Sequence, residues 1–259
     1  MPPRPTSMDG VAARVRELDR GATIESVVAR LEGYERAADG FFNPDGSGPA
    51  ARAERQPPPN GVVCFGGLYL RVTEAVRDSV ASFEGPAFIE RLDVVFADFF
   101  FQAYEAASEN AWVSKAWAPL FELKDDPHVI PLQFALAGMN AHINNDLAHA
   151  LIQTWVELDI EPGRNTPEYR DFVRVNEILE AVEEEVKVPL SDPFIRAVDV
   201  AFGRGDDWLA LWTVGKARAD AWERAEKLRA DPDGDFERFH DRLVGFASHL
   251  LLLPQLAHR

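Results

Sequence analysis

The chain has 259 residues, 27 Lys and Arg against 43 Asp and Glu for a formal net charge of −16, and 46% hydrophobic residues. That length holds one large or two small domains with a sizeable core, which excludes a wholly disordered chain, and the acidity disfavours both nucleic acid and an anionic membrane as partners. The single cysteine, Cys64, excludes an intrachain disulfide framework and a cysteine-based zinc finger. The first residues, MPPRPTSMDG, lack the apolar stretch of a secretory leader, and no apolar run nears the ~18 residues of a membrane span, so the cytoplasm is the expected compartment.

Residues 1–20 read as a partly flexible N-terminus. Residues 23–38 follow as a helix, with Thr23 as N-cap and Ile24, Val27, Val28, Leu31 and Tyr34 at helical spacing. Eight of the 18 prolines fall in the first 59 residues, so Gly40 to Asn60 reads as a long proline-rich loop ahead of the main body. From there the periodicity predicts helices over 62–82, 86–107, 110–123, 129–158, 167–187, 192–204, 206–229 and 234–253. Ser191-Asp192-Pro193 and Thr166-Pro167 each place a cap residue before a first-turn proline. No strand runs bounded by hairpin turns occur, whereas Phe172, Val175, Leu179, Val182 and Val186 keep a 3-4 spacing. The expected fold is therefore all-α, a single multi-helix domain over residues 1–259. Glu183-Glu184-Glu185 reads as a solvated helix face.

Chemistry concentrates in Pro131 to Trp155, PLQFALAGMNAHINNDLAHALIQTW. At roughly 100° per residue, His142, Asp146 and His149 share a sector of about 60°. Leu132, Leu136, Ile143, Leu147 and Leu151 form an apolar stripe, and Ala137, Ala141 and Ala148 a small one. A helix apolar or small on two sides is central, which turns the His/Asp stripe inward, where its groups must be paired, hydrogen-bonded or metal-bound. Imidazole and carboxylate four residues apart can share one divalent ion, so His142, Asp146 and His149 are the candidate metal ligands. The plainer alternative makes His142 and Asp146 a structural pair with His149 near the surface. No HExxH, ExxH pair, phosphate-binding glycine loop or GxSxG elbow is present.

Other polar residues sit in apolar helices. Asp93 shares its face with Ile89, Ala97 and Phe100 and is a candidate buried carboxylate; its plainer reading is an ion pair with Arg91 or Arg196. Asn176 is a candidate for the same cavity or an ordinary surface edge, and Tyr69 and Arg71 lie on the helix after Asn60-Gly61. Trp222 reads as core and Cys64 as a small buried hydrophobe, with no basic neighbour to activate it.

The segments NGVVCFGGLYLRVTEAV (60–76), FIERLDVVFADFFFQAY (88–104), PLQFALAGMNAHINNDLAHAL (131–151), DFVRVNEILEAVEEEVK (171–187) and ARADAWERAEKL (217–228) resemble the blocks of DUF5995, a family of unknown function. The resemblance runs from about residue 20 to the C-terminus, with GMNAHINNDL its most specific element. It implies a single helical domain with polar core positions at His142, Asn144, Asp146, Asp93 and Asn176, and it implies no reaction. Ala148 stands where the family pattern carries proline. HINNDLAHAL is more faintly similar to the His-x-x-x-Asp zinc segment of zinc-dependent phospholipase C. It departs from that pattern at Asn145, where those enzymes carry glycine, and in having no Trp before Trp112.

The expected function is action on a small organic molecule in a cavity lined by His142, Asn145, Asp146 and Asp93. Asn144, Asn176 and Tyr69 are further candidate ligand contacts, and a divalent metal is the candidate cofactor for hydrolysis. The alternative is a non-catalytic helical protein that binds a hydrophobic ligand among its 17 Phe, 6 Trp and 4 Tyr, with the His/Asp stripe structural. An oligomer is compatible with either.

Overall fold

Thr23 and Ser26 close the start of the first helix reciprocally. Thr23 Oγ1 accepts from the Ser26 amide at 3.4 Å and Ser26 Oγ from the Thr23 amide at 3.1 Å, which meets the Thr23 donor and adds a second acceptor for the Ser26 amide beside the Thr23 carbonyl. This helix, α1, spans Ile24–Ala37. The computed structural model describes residues 21–37, 60–182, 214–230 and 235–253. Within them follow α2 (Gly61–Ser79), a 3-10 turn (Val80–Ser82), α3 (Pro86–Ser108), α4 (Ala118–Leu123), α5 (Pro131–Ala141), a π turn (His142–Asp146), α6 (Leu147–Glu157), α7 (167–182), α8 (Val214–Ala230) and α9 (Asp235–Leu251). Every regular segment among the described residues is helical, so the protein is all-α. No helix among them is long and apolar enough to cross a membrane. The predicted helix 192–204, the Ser191-Asp192-Pro193 cap, residues 1–20, 183–187 and 206–213, and the loop 40–59 lie outside the described residues.

Two expectations need correction. The helix predicted over 110–123 is only Ala118–Leu123. Asn110 adopts a left-handed conformation (φ 54°), and the Ala111 amide reaches back to the Ala106 carbonyl at 2.8 Å. That pattern ends a helix by satisfying its last carbonyls, and Asn tolerates the conformation best after glycine. The helix predicted over 129–158 is not continuous, because the π turn interrupts it at the His/Asp stripe.

The core has two apolar clusters. The first joins α1, α2, the second half of α3, α4, α5 and α9 around Leu31, Phe65, Leu70, Phe100, Trp117 and Phe134. The second joins the first half of α3 to α6, α7 and α8 around Val95, Leu147, Leu151, Phe172 and Trp222. Phe96 packs against both, and the π turn lies where they meet: Ala141 belongs to one cluster and Ile143 to the other.

Gly138 sets how closely α2 approaches α5, since a Cβ there would stand 2.4 Å from the Phe65 ring. Phe65 is 2% exposed and cannot swing into solvent, so the clash must be absorbed by backbone shift. Gly138→Ala is expected to lower unfolding free energy by about 1–3 kcal/mol, despite alanine's better helix propensity. Urea denaturation at wild-type stability would show the approach to be slack.

Candidate functional site

The π turn is defined by the Leu147 amide, which donates to the His142 carbonyl five residues back. Such a turn holds one residue more than an α-helical turn and sets back everything downstream by about 100°. The predicted stripe is therefore broken. His142 and Asp146, inside the turn, remain together, whereas His149 lies with Glu237 (3.6 Å), Arg224 (3.5 Å) and the Phe99 ring.

Arg224 of α8 supports the widened turn from outside. Its Nη2 donates to the Asn145 carbonyl at 2.8 Å and its Nη1 to the Asn144 carbonyl. Burial lowers this guanidinium to about 10, so it stays charged at neutral pH. Its Nη1 also stands 2.9 Å from His240 Nδ1, and burial together with the Arg224 charge pushes that imidazole down to about 4, which makes it a neutral acceptor.

Three donors converge on the Asp146 carboxylate. Oδ2 accepts from Trp117 Nε1 at 2.8 Å and lies 3.1 Å from His142 Nδ1, while Oδ1 accepts from Asn145 Nδ2 at 2.9 Å. Asp146 is 3% exposed and His142 2%. Since the carboxylate only accepts, the network assigns the proton to Nδ1 and leaves a lone pair on Nε2. Burial lowers the His142 pKa against the opposing pull of Asp146, so the ring is neutral at pH 7. Nε2 has no partner. The imidazole lies in an aromatic shell: Phe96 is stacked on it at 3.6 Å between centroids and 5° between planes. Tyr69 follows at 4.7 Å, Phe65 at 5.6 Å and Trp117 at 5.9 Å.

A second set of buried polar atoms adjoins the shell. Asp93 Oδ2, Tyr69 Oη and Thr73 Oγ1 have no partner of hydrogen-bonding geometry among the described residues. Burial pushes Asp93 up to about 7, and it raises the Tyr69 phenol, which also feels the Asp93 charge; the nearby Thr73 hydroxyl works against that rise. Asp93 as a residue is half-buried, yet Oδ2 is out of contact with solvent, and it is the oxygen's surroundings that set its protonation. Of the two ion pairs read for Asp93, the one with Arg91 is not formed, since Arg91 is paired with Glu157, and Arg196 lies outside the described residues.

The remaining candidates go elsewhere. Asn144 donates to Asn140 Oδ1 at 3.0 Å, and Asn140 in turn donates to the Val244 carbonyl and Ser248 of α9. Asn176 accepts from Arg218 Nε at 2.8 Å on the seam between α7 and α8. Trp222 is wholly buried, as read from the sequence, and burial pushes the Cys64 thiol up to about 12, so it is no nucleophile. Trp117, Arg224 and Phe96 gave no sequence signal, since each comes from an element distant in the chain.

The residues do not fit a resident divalent metal. Asp146 already accepts three donors, His142 offers Nε2 alone, His149 is turned away, and no group of three His, Cys, Asp or Glu among the described residues could hold an ion.

What fold and site define is an all-helical protein with a neutral histidine locked to a carboxylate inside an aromatic shell. The chain belongs to DUF5995, a family of unknown function, whose sequence profile matches residues 24–254. No match is found among curated proteins or among solved structures.

Two consequences can be measured. Asp93 binds its proton more tightly folded than unfolded, so its contribution to stability is full below about pH 4 and is lost as pH rises through about 7. Asp93→Asn should therefore gain on wild type between pH 4 and pH 8, by something on the order of 2–4 kcal/mol. His142, with its pKa lowered, has the opposite sign: its contribution is present above about pH 6.5 and lost as pH falls below it. A wild-type-to-variant gap that stays constant with pH in guanidinium titrations would place Asp93 in a solvated site. Arg224→Leu strands two carbonyls of the π turn and leaves the Asp146 charge without its buried counterpart, and is expected to cost about 3–5 kcal/mol; a loss under ~1 kcal/mol would mean that the π turn holds itself.

Proposed function

We propose that the protein is an enzyme that moves a proton on a small, largely apolar organic molecule, with His142 as the base. The observation that carries this reading is the unpartnered Nε2. A buried acceptor left unsatisfied costs roughly 1–3 kcal/mol, and a phenylalanine would fill the same shell without that penalty. The opposite nitrogen is fixed on a carboxylate that two further donors hold, which sets both the tautomer and the direction of the Nε2 lone pair. Phe65, Tyr69, Phe96 and Trp117 match a flat apolar substrate, and Asp93, with a pKa of about 7, is suited to return a proton at neutral pH. Metal-assisted hydrolysis is no part of this reading. A lone buried thiol suits a reducing compartment, and we place the protein in the cytoplasm.

The 2% exposure of His142 favours a second reading: a non-catalytic carrier of an apolar ligand, with the His142–Asp146 pair as a bridge between helices. The two are separated with 5-nitrobenzisoxazole, an apolar probe from which a base removes the C3 proton as the ring N–O bond breaks, giving a coloured phenolate. Wild type at neutral pH is expected to exceed His142→Phe by at least ~10²-fold. Equal rates would overturn the catalytic reading. If the probe then quenches tryptophan fluorescence saturably without turnover, the carrier reading stands.

A further inference from the structure

Helix α9 has two apolar faces. The inner one packs on α5 and on the segment before α4, so closely at Gly245 that a Cβ would stand 2.3 Å from the Lys115 carbonyl oxygen. The outer one carries Phe239, Leu243, Phe246 and Leu250, which are 60%, 50%, 63% and 37% exposed. A single exposed leucine needs no explanation. These four are spaced 4, 3 and 4 residues apart, the seam by which one helix packs along another. At ~200 Å² for an aromatic side chain, the seam leaves on the order of 400 Å² of apolar surface in water, as much as the largest patch on a typical monomer.

We propose that this seam is the docking surface for a second copy of the chain, α9 against α9, antiparallel about a two-fold axis between residues 243 and 246. The reading is independent of the role of His142. In this register Phe239 faces the partner's Leu250 and Leu243 faces the partner's Phe246, so every layer sets a large ring against a smaller side chain, as a close-packed interface requires. The charges agree. Despite the net charge of −16, Glu237 turns inward to His149 and Asp241 accepts from the Ala116 amide, and at the flank Arg242 faces the partner's His249 rather than another arginine. The seams of two copies bury about 800 Å² between them before their flanks are added, short of the ~1,200 Å² at the lower end of stable specific interfaces. An interface of that size belongs to weak, transient association. An acidic amphipathic helix from another protein would answer the arginine flank but would leave the Phe–Leu pairing across the axis without a cause.

Sedimentation equilibrium of the full chain tests this. Wild type is expected to dimerise between about 1 and about 100 µM, whereas Leu243→Glu and Phe246→Lys, both at exposed positions, each weaken the dimer at least ~10-fold. Mixing the two variants should restore a heterodimer, because substituted position 243 of one faces substituted position 246 of the other while the second central layer remains Phe on Leu. Recovery on mixing also shows both variants folded. A wild type that stays monomeric over that range overturns the proposal, as does either variant dimerising like wild type. A mixture that remains monomeric overturns the antiparallel register and the proposal with it.

Discussion

The Asp146 carboxylate ties the parts of this molecule together. Its three donors come from the π turn itself, through His142 and Asn145, and from Trp117 ahead of α4. Trp117 belongs to the first apolar cluster, where it meets Phe65, Phe100 and Phe121, so the carboxylate joins the π turn to that cluster. The second cluster is joined from the other side by Arg224, which stands on α8 among Ala221, Trp222 and Ala225 and whose charge is favoured by Asp146. A carboxylate and a guanidinium, both buried, thus bracket five residues of widened helix. Neither is tolerable alone at this depth, since removing one member of such an arrangement leaves the other uncompensated.

Helix content and the inward turn of the His/Asp stripe were legible because both depend on local spacing. Thr23 and Thr166-Pro167 announced helix starts, and Phe172, Val175 and Val182 are buried as their 3-4 pattern requires. The end of α3 at Asn110 was legible only as a single asparagine, a residue that is also common inside weak helices, so the 110–123 segment was read as helix. The π turn was not legible. Nothing in HINND breaks helical periodicity, and what makes the wider turn tolerable is Arg224, 79 residues from Asn145. A phase shift made by a tertiary contact misplaces every later residue in a helical-wheel argument. That is why His149 was grouped with His142 and Asp146 and stands instead with Glu237 and Arg224. Asp93 was legible as a carboxylate on an apolar face, but its neighbour Arg91 looked like its partner until Glu157, 66 residues away, proved to hold that arginine.

The orphaned polar atoms are consistent with one another in a way that separate accidents would not be. His142 Nε2 accepts only, and Asp93, raised to about 7, retains a proton to donate over much of the neutral range. Tyr69, whose ring lies 4.7 Å from the His142 ring and whose phenol is held protonated by burial and the Asp93 charge, is a further donor beside it. A core built for stability alone would have paired these groups with each other or replaced them with apolar side chains of the same volume, either of which removes the penalty.

The aromatic shell also constrains how anything could reach Nε2. Phe65, Phe100 and Trp117 are at most 2% exposed and fixed by edge-to-face or tilted contacts with one another, so moving any of them disturbs the first cluster as a whole. Phe96 differs: it is only partly buried, belongs fully to neither cluster, and lies flat on the imidazole rather than edge-on. Phe96 also meets Tyr69 edge-on at 6.1 Å between centroids, so displacing it costs that contact as well as the stacked one, each worth about 0.5–1.5 kcal/mol. On the catalytic reading, Phe96 is therefore the ring whose displacement disturbs the first cluster least, and the junction of the two clusters is the route to His142 that such a reading requires.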